Sequence, residues 1–173
     1  MKSTGEVMGI DNNFGAAFAK AQIGAGVNLP DMRSTEPGTV FLSVRDEDKR
    51  FIVSLANRLH ALGFRLVATS GTARALTNNG VPAERVFKIH EGRPHVLDLI
   101  KNREVKLVIN TPSGRIERSD DALIRANSVT YKTPCITTLA AAAATVQALE
   151  WLRKRPLEVA PLQEYHARLR ADA

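Results

Sequence analysis

The chain has 173 residues, 44% hydrophobic and 24% charged, enough for one core of ordinary size with flanking segments. No apolar run approaches the roughly 18 residues that a bilayer span needs, and MKSTGEVMGI lacks a basic region followed by an apolar stretch, so the expectation is a soluble, cytoplasmic protein with no membrane partner. The net charge of +6 comes from 24 Lys and Arg interleaved with 18 Asp and Glu, a dispersed excess that suits a small anionic ligand as well as it suits a polyanion; no nucleic-acid partner is expected.

Lys2 to Gly26 differs in texture from the rest and contains a short helix pattern, with Phe14 and Phe18 four apart and Ala17 and Ala21 on the same side. AGVNLPDMRSTEPG has little periodicity and reads as a linker ending near Gly38, so the chain looks cut from something longer. From Thr39, β-branched runs alternate with helical segments. GTVFLSV is a strand, and DEDKRFIVSLANRLHAL follows with Ile52, Leu55, Leu59 and Leu62 at helical spacing, Asp46, Glu47 and Asp48 in the first turn and Gly63 as its stop. FRLVAT is the second strand, and TARALTNNG a short helix closed by Asn79-Gly80.

A third, brief strand spans Arg85 to Ile89, then a helix has Pro94 in its first turn and Val96, Leu99 and Ile100 inward. VKLVIN is the clearest strand, a near-continuous apolar run of the kind buried on both faces. A helix from about Asp120 to Asn127, a strand from Cys135 to Thr138 and a helix from Leu139 to Arg153 complete the series. Arg153-Lys154-Arg155, beside Glu150 and Glu158, reads as a solvated helix end. Beyond Pro156 lies a tail helix with Leu162, Tyr165 and Leu169 in one stripe, and Cys135 reads as a small apolar filler.

This alternation predicts an α/β fold of three layers, a five-stranded parallel sheet flanked by helices. Ligands of such sheets bind outside the carboxyl ends of the strands. There the sequence presents SVRDEDK, ATSGTA, KIHEGRP, NTPSGR and TTLAAA. In ATSGTA, Gly71 allows a tight turn, the free N–H groups of the new helix face any anion placed there, and Thr69, Ser70 and Thr72 offer more hydroxyls than one helix cap uses. Lys49, one turn into the first helix, and Lys88, ending the third strand, bring ammonium groups to the same rim. Asn110 and Thr111 offer groups of the kind that fix a sugar or a base.

Acid–base groups look scarce in these loops. Asp46, Glu47 and Asp48 read as helix-dipole charges and Asp120 and Asp121 as a helix cap; His90, Glu91 and His95 are the best candidates for an enzyme, while His60 lies in a helix and His166 in the tail. There is no Cys/His metal spacing, nucleophile elbow or Walker loop, so no metal site is expected.

The order SVRDEDK, ATSGTA, KIHEGRPHVLDLIKN, VINTPSGR, YKTPCITTLAAAAA resembles the C-terminal regulatory, methylglyoxal-synthase-like domain of the carbamoyl-phosphate synthase large subunit. STGEVMGIDNNFGAAFAKAQIGAG looks like the stretch just before that domain, after the second ATP-grasp unit. The resemblance implies residues 1–26 as the tail of the ATP-grasp region, 27–38 as linker, 39–155 as an allosteric nucleotide-binding domain and 156–173 as a tail helix. It implies UMP, IMP and ornithine as effectors, with Lys49, Thr69, Gly71 and Thr72 at the phosphate, Lys88 flanking the nucleotide, Asn110 and Thr111 on the sugar or base side, and Thr137 near an ornithine site.

Ser70 occupies a position that varies in this loop. Pro112 stands where some relatives carry a nucleotide-touching threonine, and it lacks both a hydroxyl and an N–H. The implied parent is a cytoplasmic ligase that uses ATP with Mg or Mn, pairs with a glutaminase small subunit, oligomerises, and makes carbamoyl phosphate for arginine and pyrimidine synthesis. Methylglyoxal synthases carry catalytic aspartates after the third and fourth strands. EGRPH and NTPSG, with Arg93 and Thr111 near those places, hold none, so this fragment is expected to be non-catalytic and to need no cofactor; the alternative is a stand-alone lyase acting on a small phosphorylated substrate.

Overall fold

The computed structural model describes residues 5–112 and 118–171; of 118, 119 and 168–171 only the backbone is described. Strands β1 (Thr39–Ser43), β2 (Arg65–Thr69), β3 (Glu84–Val86), β4 (Val105–Asn110) and β5 (Cys135–Ile136) form one parallel sheet in the order β3-β2-β1-β4-β5. Helices α2 (Lys49–Ala61), α3 (Ser70–Thr77), α4 (Val96–Lys101), α5 (Arg118–Thr130) and α6 (Leu139–Lys154) supply the crossovers and cover both faces, as the alternation predicts. Two further helices, α1 (Phe14–Gly24) and α7 (Leu162–Ala171), flank them.

Strand alternation divides the core. Val40, Leu42, Leu66, Ala68, Leu107 and Ile109 meet α2, α3 and α6 on one face, where Ile52, Leu55, Leu59, Leu76, Val146 and Leu149 are buried. Phe41, Val67, Val105 and Val108 meet α4 and α5 on the other, against Val96, Ile100 and Ile124. The chain runs outward from β1 to β2 and β3, then returns to place β4 on the other side of β1. That reversal opens a crevice between the carboxyl ends of β1 and β4, where Ser43 pairs in register with Asn110.

Several local expectations are corrected. The third strand ends at Val86: Phe87 makes only an isolated bridge to His95, because this edge segment peels away to reach α4. Pro94 lies before α4, whose N-cap is His95, with Asp98 accepting from the His95 N–H at 3.1 Å. Leu97 is buried while Leu99 is only partly covered, since the phase set by Val96 and Ile100 turns Leu97 inward. Asp46–Asp48 form a 3-10 turn before α2, α5 starts at Arg118 and runs to Thr130, and β5 is two residues long. Among the described residues no helix is long and apolar enough to cross a membrane.

The N-terminal helix packs through its small face. Gly15, Ala16 and Ala19 are buried, whereas Phe14 is 57% exposed with its ring 5.9 Å from that of Phe18. Closeness selects the small residues, since a methyl at Gly15 would fall 2.6 Å from the Gln147 carbonyl oxygen of α6. Lys20 Nζ donates to the Ile10 carbonyl at 3.0 Å, to Asp11 at 2.7 Å and to the Tyr165 hydroxyl at 2.9 Å, tying this segment to α7. Met32 enters the main core, and Arg153 donates to the carbonyls of Met32 at 2.9 Å and Ser34 at 2.7 Å. Leu162 is half exposed, and the side chain of Leu169 lies outside the described residues.

Arg58 of α2 and Glu150 of α6 form a two-pronged bridge at 2.8 and 2.7 Å. The Arg58 guanidinium holds the Glu150 carboxyl below its ordinary range. A depressed carboxylate contributes stability above its unfolded value of about 4.3 and loses it as pH falls through the folded value. Glu150→Gln should therefore cost about 1 kcal/mol or less at pH 7, the pair being one third exposed. Urea midpoints of parent and variant should converge when remeasured in acid, with the Glu150 carboxyl protonated.

Candidate functional site

A cavity of about 840 Å³ opens at the carboxyl edge of the sheet, within the range of small-ligand sites. One end is built on the β2–α3 junction. Thr69 is the N-cap of α3, yet its side chain makes no capping bond. Its hydroxyl instead lies 3.3 Å from Ser43 Oγ and 3.4 Å from Thr72 Oγ1, so the first-turn N–H groups of α3 have no side-chain acceptor from their own cap. Thr72, 1% exposed, accepts from the Val44 N–H at 3.2 Å, which locks the loop after β1 to α3. Thr111 does the same from β4, accepting from the Arg45 N–H at 3.1 Å.

Gly71 gives Lys49 its place. A methyl there would lie 2.9 Å from Lys49 Nζ and 3.5 Å from Cε, so the ammonium rests against the bare backbone at the start of α3. Lys49 donates to Asp46 at 2.5 Å, and that bond, followed by the lysine charge, holds the exposed Asp46 carboxyl low. Arg45 is directed to Asp48 at 2.9 Å and to Glu47 at 3.6 Å. Backbone donors, hydroxyls and an ammonium thus converge on one spot, an arrangement that stabilises an anion.

The opposite wall is mixed. Phe41, Phe87, Ile89, Val96 and Ile124 give it an apolar surface, and Asn110 donates to Asp121 at 2.7 Å. His90 Nε2 lies 2.7 Å from Asp120 Oδ1, an ion-pair distance without the alignment of a hydrogen bond.

Lys49, Thr69, Gly71, Thr72, Lys88, Asn110 and Thr111 all line this one cavity, as does Pro112. Thr137 does not: it is exposed on the turn between β5 and α6. Ser70 Oγ is buried with no hydrogen-bond partner among the described residues and does not line the cavity. Ser113, Gly114 and Arg115 lie outside the described residues.

The expectation that acid–base groups are scarce at the cleft is corrected, since Asp46, Glu47, Asp120 and Asp121 all line it. Asp120 and Asp121, expected as a helix cap, lie in the first turn of α5, where Asp121 bonds to Asn110 at the end of β4 and is 8% exposed. Ser43 and the apolar wall were also missed. Strand register could have found Ser43, which continues the row from Thr69 to Asn110 across the sheet.

Of the proposed acid–base residues, His90 reaches a cleft carboxylate, Glu91 accepts from the Lys88 N–H at 3.2 Å, and His95 is buried at the start of α4 with Nδ1 3.3 Å from Asp98. Cys135 is half-buried and burial pushes its thiol up, which fits an inert filler. No group of three or more His, Cys, Asp and Glu among the described residues is placed to hold a metal ion.

The chain is 52% identical over 96% of its length to the carbamoyl phosphate synthase large chain of Mesorhizobium japonicum, 51% over 95% to that of a Nostoc species, and 48% over 96% to that of Archaeoglobus fulgidus. It spans only 14 to 15% of those relatives. Its fold matches a methylglyoxal synthase from Elizabethkingia anophelis with a TM-score of 0.56 and 20% identity, covering 81% of this chain and 93% of that one. The model of the MGS-like domain matches residues 51–137, half of the chain and most of the sheet, and the chain belongs to the MGS-like domain family.

Proposed function

We propose that this chain is the regulatory domain of a carbamoyl-phosphate synthase large chain and that its cavity binds a nucleoside monophosphate. The observation that carries the reading is the anion cradle at Thr69–Thr72 with Lys49, at one end of a cavity whose other wall is apolar and polar by turns. A phosphate suits the first end; a sugar and base suit the second, with Lys88 flanking, Asn110 and Thr111 beside the sugar, and Phe87 and Ile89 against the base. UMP and IMP are the effectors proposed, and ornithine near Thr137 a further one. The domain itself is non-catalytic and cofactor-free. The remainder of the large chain, with ATP and Mg or Mn, and the glutaminase subunit would carry out the ligase reaction in the cytoplasm. Binding regulates that reaction only through different affinities for two conformations of the parent.

The test is calorimetric titration of the chain with UMP, IMP and ornithine. Saturable binding of at least one nucleotide is expected, and no binding of either would sink the reading.

A second reading is favoured by one observation: Asp120, which His90 approaches, and Asp121 line the same cavity as Lys49. A carboxylate in the same cavity as an anion cradle suits proton abstraction from a small phosphorylated substrate. Turnover of dihydroxyacetone phosphate by the chain would establish that lyase; its absence removes the reading.

A further inference from the structure

Asp121 is an unusual lining residue. It is 8% exposed, and its Oδ1 accepts from Asn110, itself 4% exposed, at 2.7 Å. Its Oδ2 is buried with no hydrogen-bond donor among the described residues. Leaving a buried carboxylate oxygen unmet is costly, and native interiors satisfy nearly all such atoms. The bond from Asn110 fixes the carboxylate at the carboxyl end of β4, two strands from Thr69. At a strand spacing of about 4.8 Å, the carboxyl ends of β2 and β4, which carry Thr69 and Asn110, are roughly 10 Å apart across the sheet. Asp120, whose Oδ1 is approached by His90, lies beside it and adds a second negative charge to the same end. At the α3 end the lining carboxylates of Asp46 and Glu47 face the cations of Lys49 and Arg45, whereas Asp120 and Asp121 place two carboxylates together at the α5 end.

We propose that Asp121 determines the ligand class: the cavity takes a molecule anionic at one end and bearing hydroxyl or amino donors at the other, and rejects one that is anionic at both. The proposal rests on the anion-binding reading of Thr69–Thr72 and specifies what that reading leaves open. Oδ2 accepts from the ligand's donor while Asn110 holds the carboxylate in place. A second phosphate would have to enter beside two carboxylates, a like-charge contact that the site opposes.

The experiment titrates the 173-residue chain, Asp121→Asn and Asp121→Ala with three probes: inorganic phosphate, ribose 5-phosphate and ribose 1,5-bisphosphate. The asparagine variant keeps an acceptor for Asn110 and removes the charge, so it separates charge from folding. In the parent, ribose 5-phosphate should bind about tenfold tighter than phosphate, and the bisphosphate about tenfold weaker than ribose 5-phosphate.

Asp121→Ala should erase most of the sugar's advantage while phosphate affinity stays within about twofold, and Asp121→Asn should improve the bisphosphate by about fivefold or more. Equal losses for all three probes in both variants would make Asp121 a merely structural residue and overturn the proposal. Parent binding of the bisphosphate as tight as that of ribose 5-phosphate would overturn it too. Phosphate binding that is present but indifferent to Asp121 overturns this inference alone, whereas no binding of any probe to the parent overturns the anion-site reading with it.

Discussion

Lys49→Ala should weaken UMP binding by about ten- to a hundredfold while leaving the chain as stable as before. A charge-assisted hydrogen bond to an anion contributes roughly 1.5–3 kcal/mol, and each 1.4 kcal/mol is a factor of ten. The variant separates binding from folding because Asp46, with which Lys49 pairs, has a side chain 90% exposed and needs no counter-charge to remain solvated. Thr72→Ala would not be so clean. It removes the acceptor of the buried Val44 N–H and should cost about 1–3 kcal/mol of stability as well. Gly71→Ala offers a subtler check, since the new methyl would push against Lys49 Nζ without touching the backbone of another element. Its affinity should fall in the direction of Lys49→Ala, with little change in melting temperature. Full-strength binding by Lys49→Ala, measured by calorimetry, would remove Lys49 from the site.

Phe41→Ala should cost about 3–5 kcal/mol, the range for a large aromatic deleted from a packed core. Phe41 is fully buried on β1, the central strand, between β2 and β4 and beneath α4 and α5. Its ring also lines the cavity, so truncation removes part of the apolar wall and lets water under Val96 and Ile124. Urea unfolding should show a lower midpoint at unchanged slope. Phe51 is the control: it is 51% exposed on α2 with Arg50 stacked at 4.4 Å, and Phe51→Ala should change stability by about 1 kcal/mol at most. A loss below about 1 kcal/mol in Phe41→Ala would mean that the two-sided core is wrongly drawn.

The parts of this fold that were legible in the sequence are those written in short-range pattern. VKLVIN reads as a two-sided buried strand because its apolar run has no polar interruption after Lys106, and β4 spans Val105–Asn110. Lys49, Thr69, Gly71, Thr72, Lys88, Asn110 and Thr111 were legible together because a parallel sheet sends every strand's carboxyl end to one edge. What escaped was set by contacts between distant segments. Asp120 and Asp121 resemble an ordinary acidic first turn; the contacts that hold them at the cleft, Asn110 with Asp121 and His90 with Asp120, join segments distant in sequence. Met32 sits in a stretch rich in Gly, Pro and Asp with no periodicity, yet its side chain is buried in the main core, and Arg153, 121 residues away, donates to its carbonyl. The Phe14–Phe18 pair looks like a buried face, but the approach of α1 to α6 admits only Gly15, Ala16 and Ala19. Hydrophobic size misleads wherever close backbone approach decides the packing.

That the backbone at the start of α3 holds an anion is tested most directly by following the amide resonances of a 15N-labelled chain as UMP is added. The N–H signals of Gly71, Thr72 and Ala73 should move downfield and saturate together with the changes at Lys49 and Asn110, while those of the α1–α6 contact at Gly15 stay still. Saturable shifts elsewhere that leave the Gly71 and Thr72 amides unmoved would contradict it.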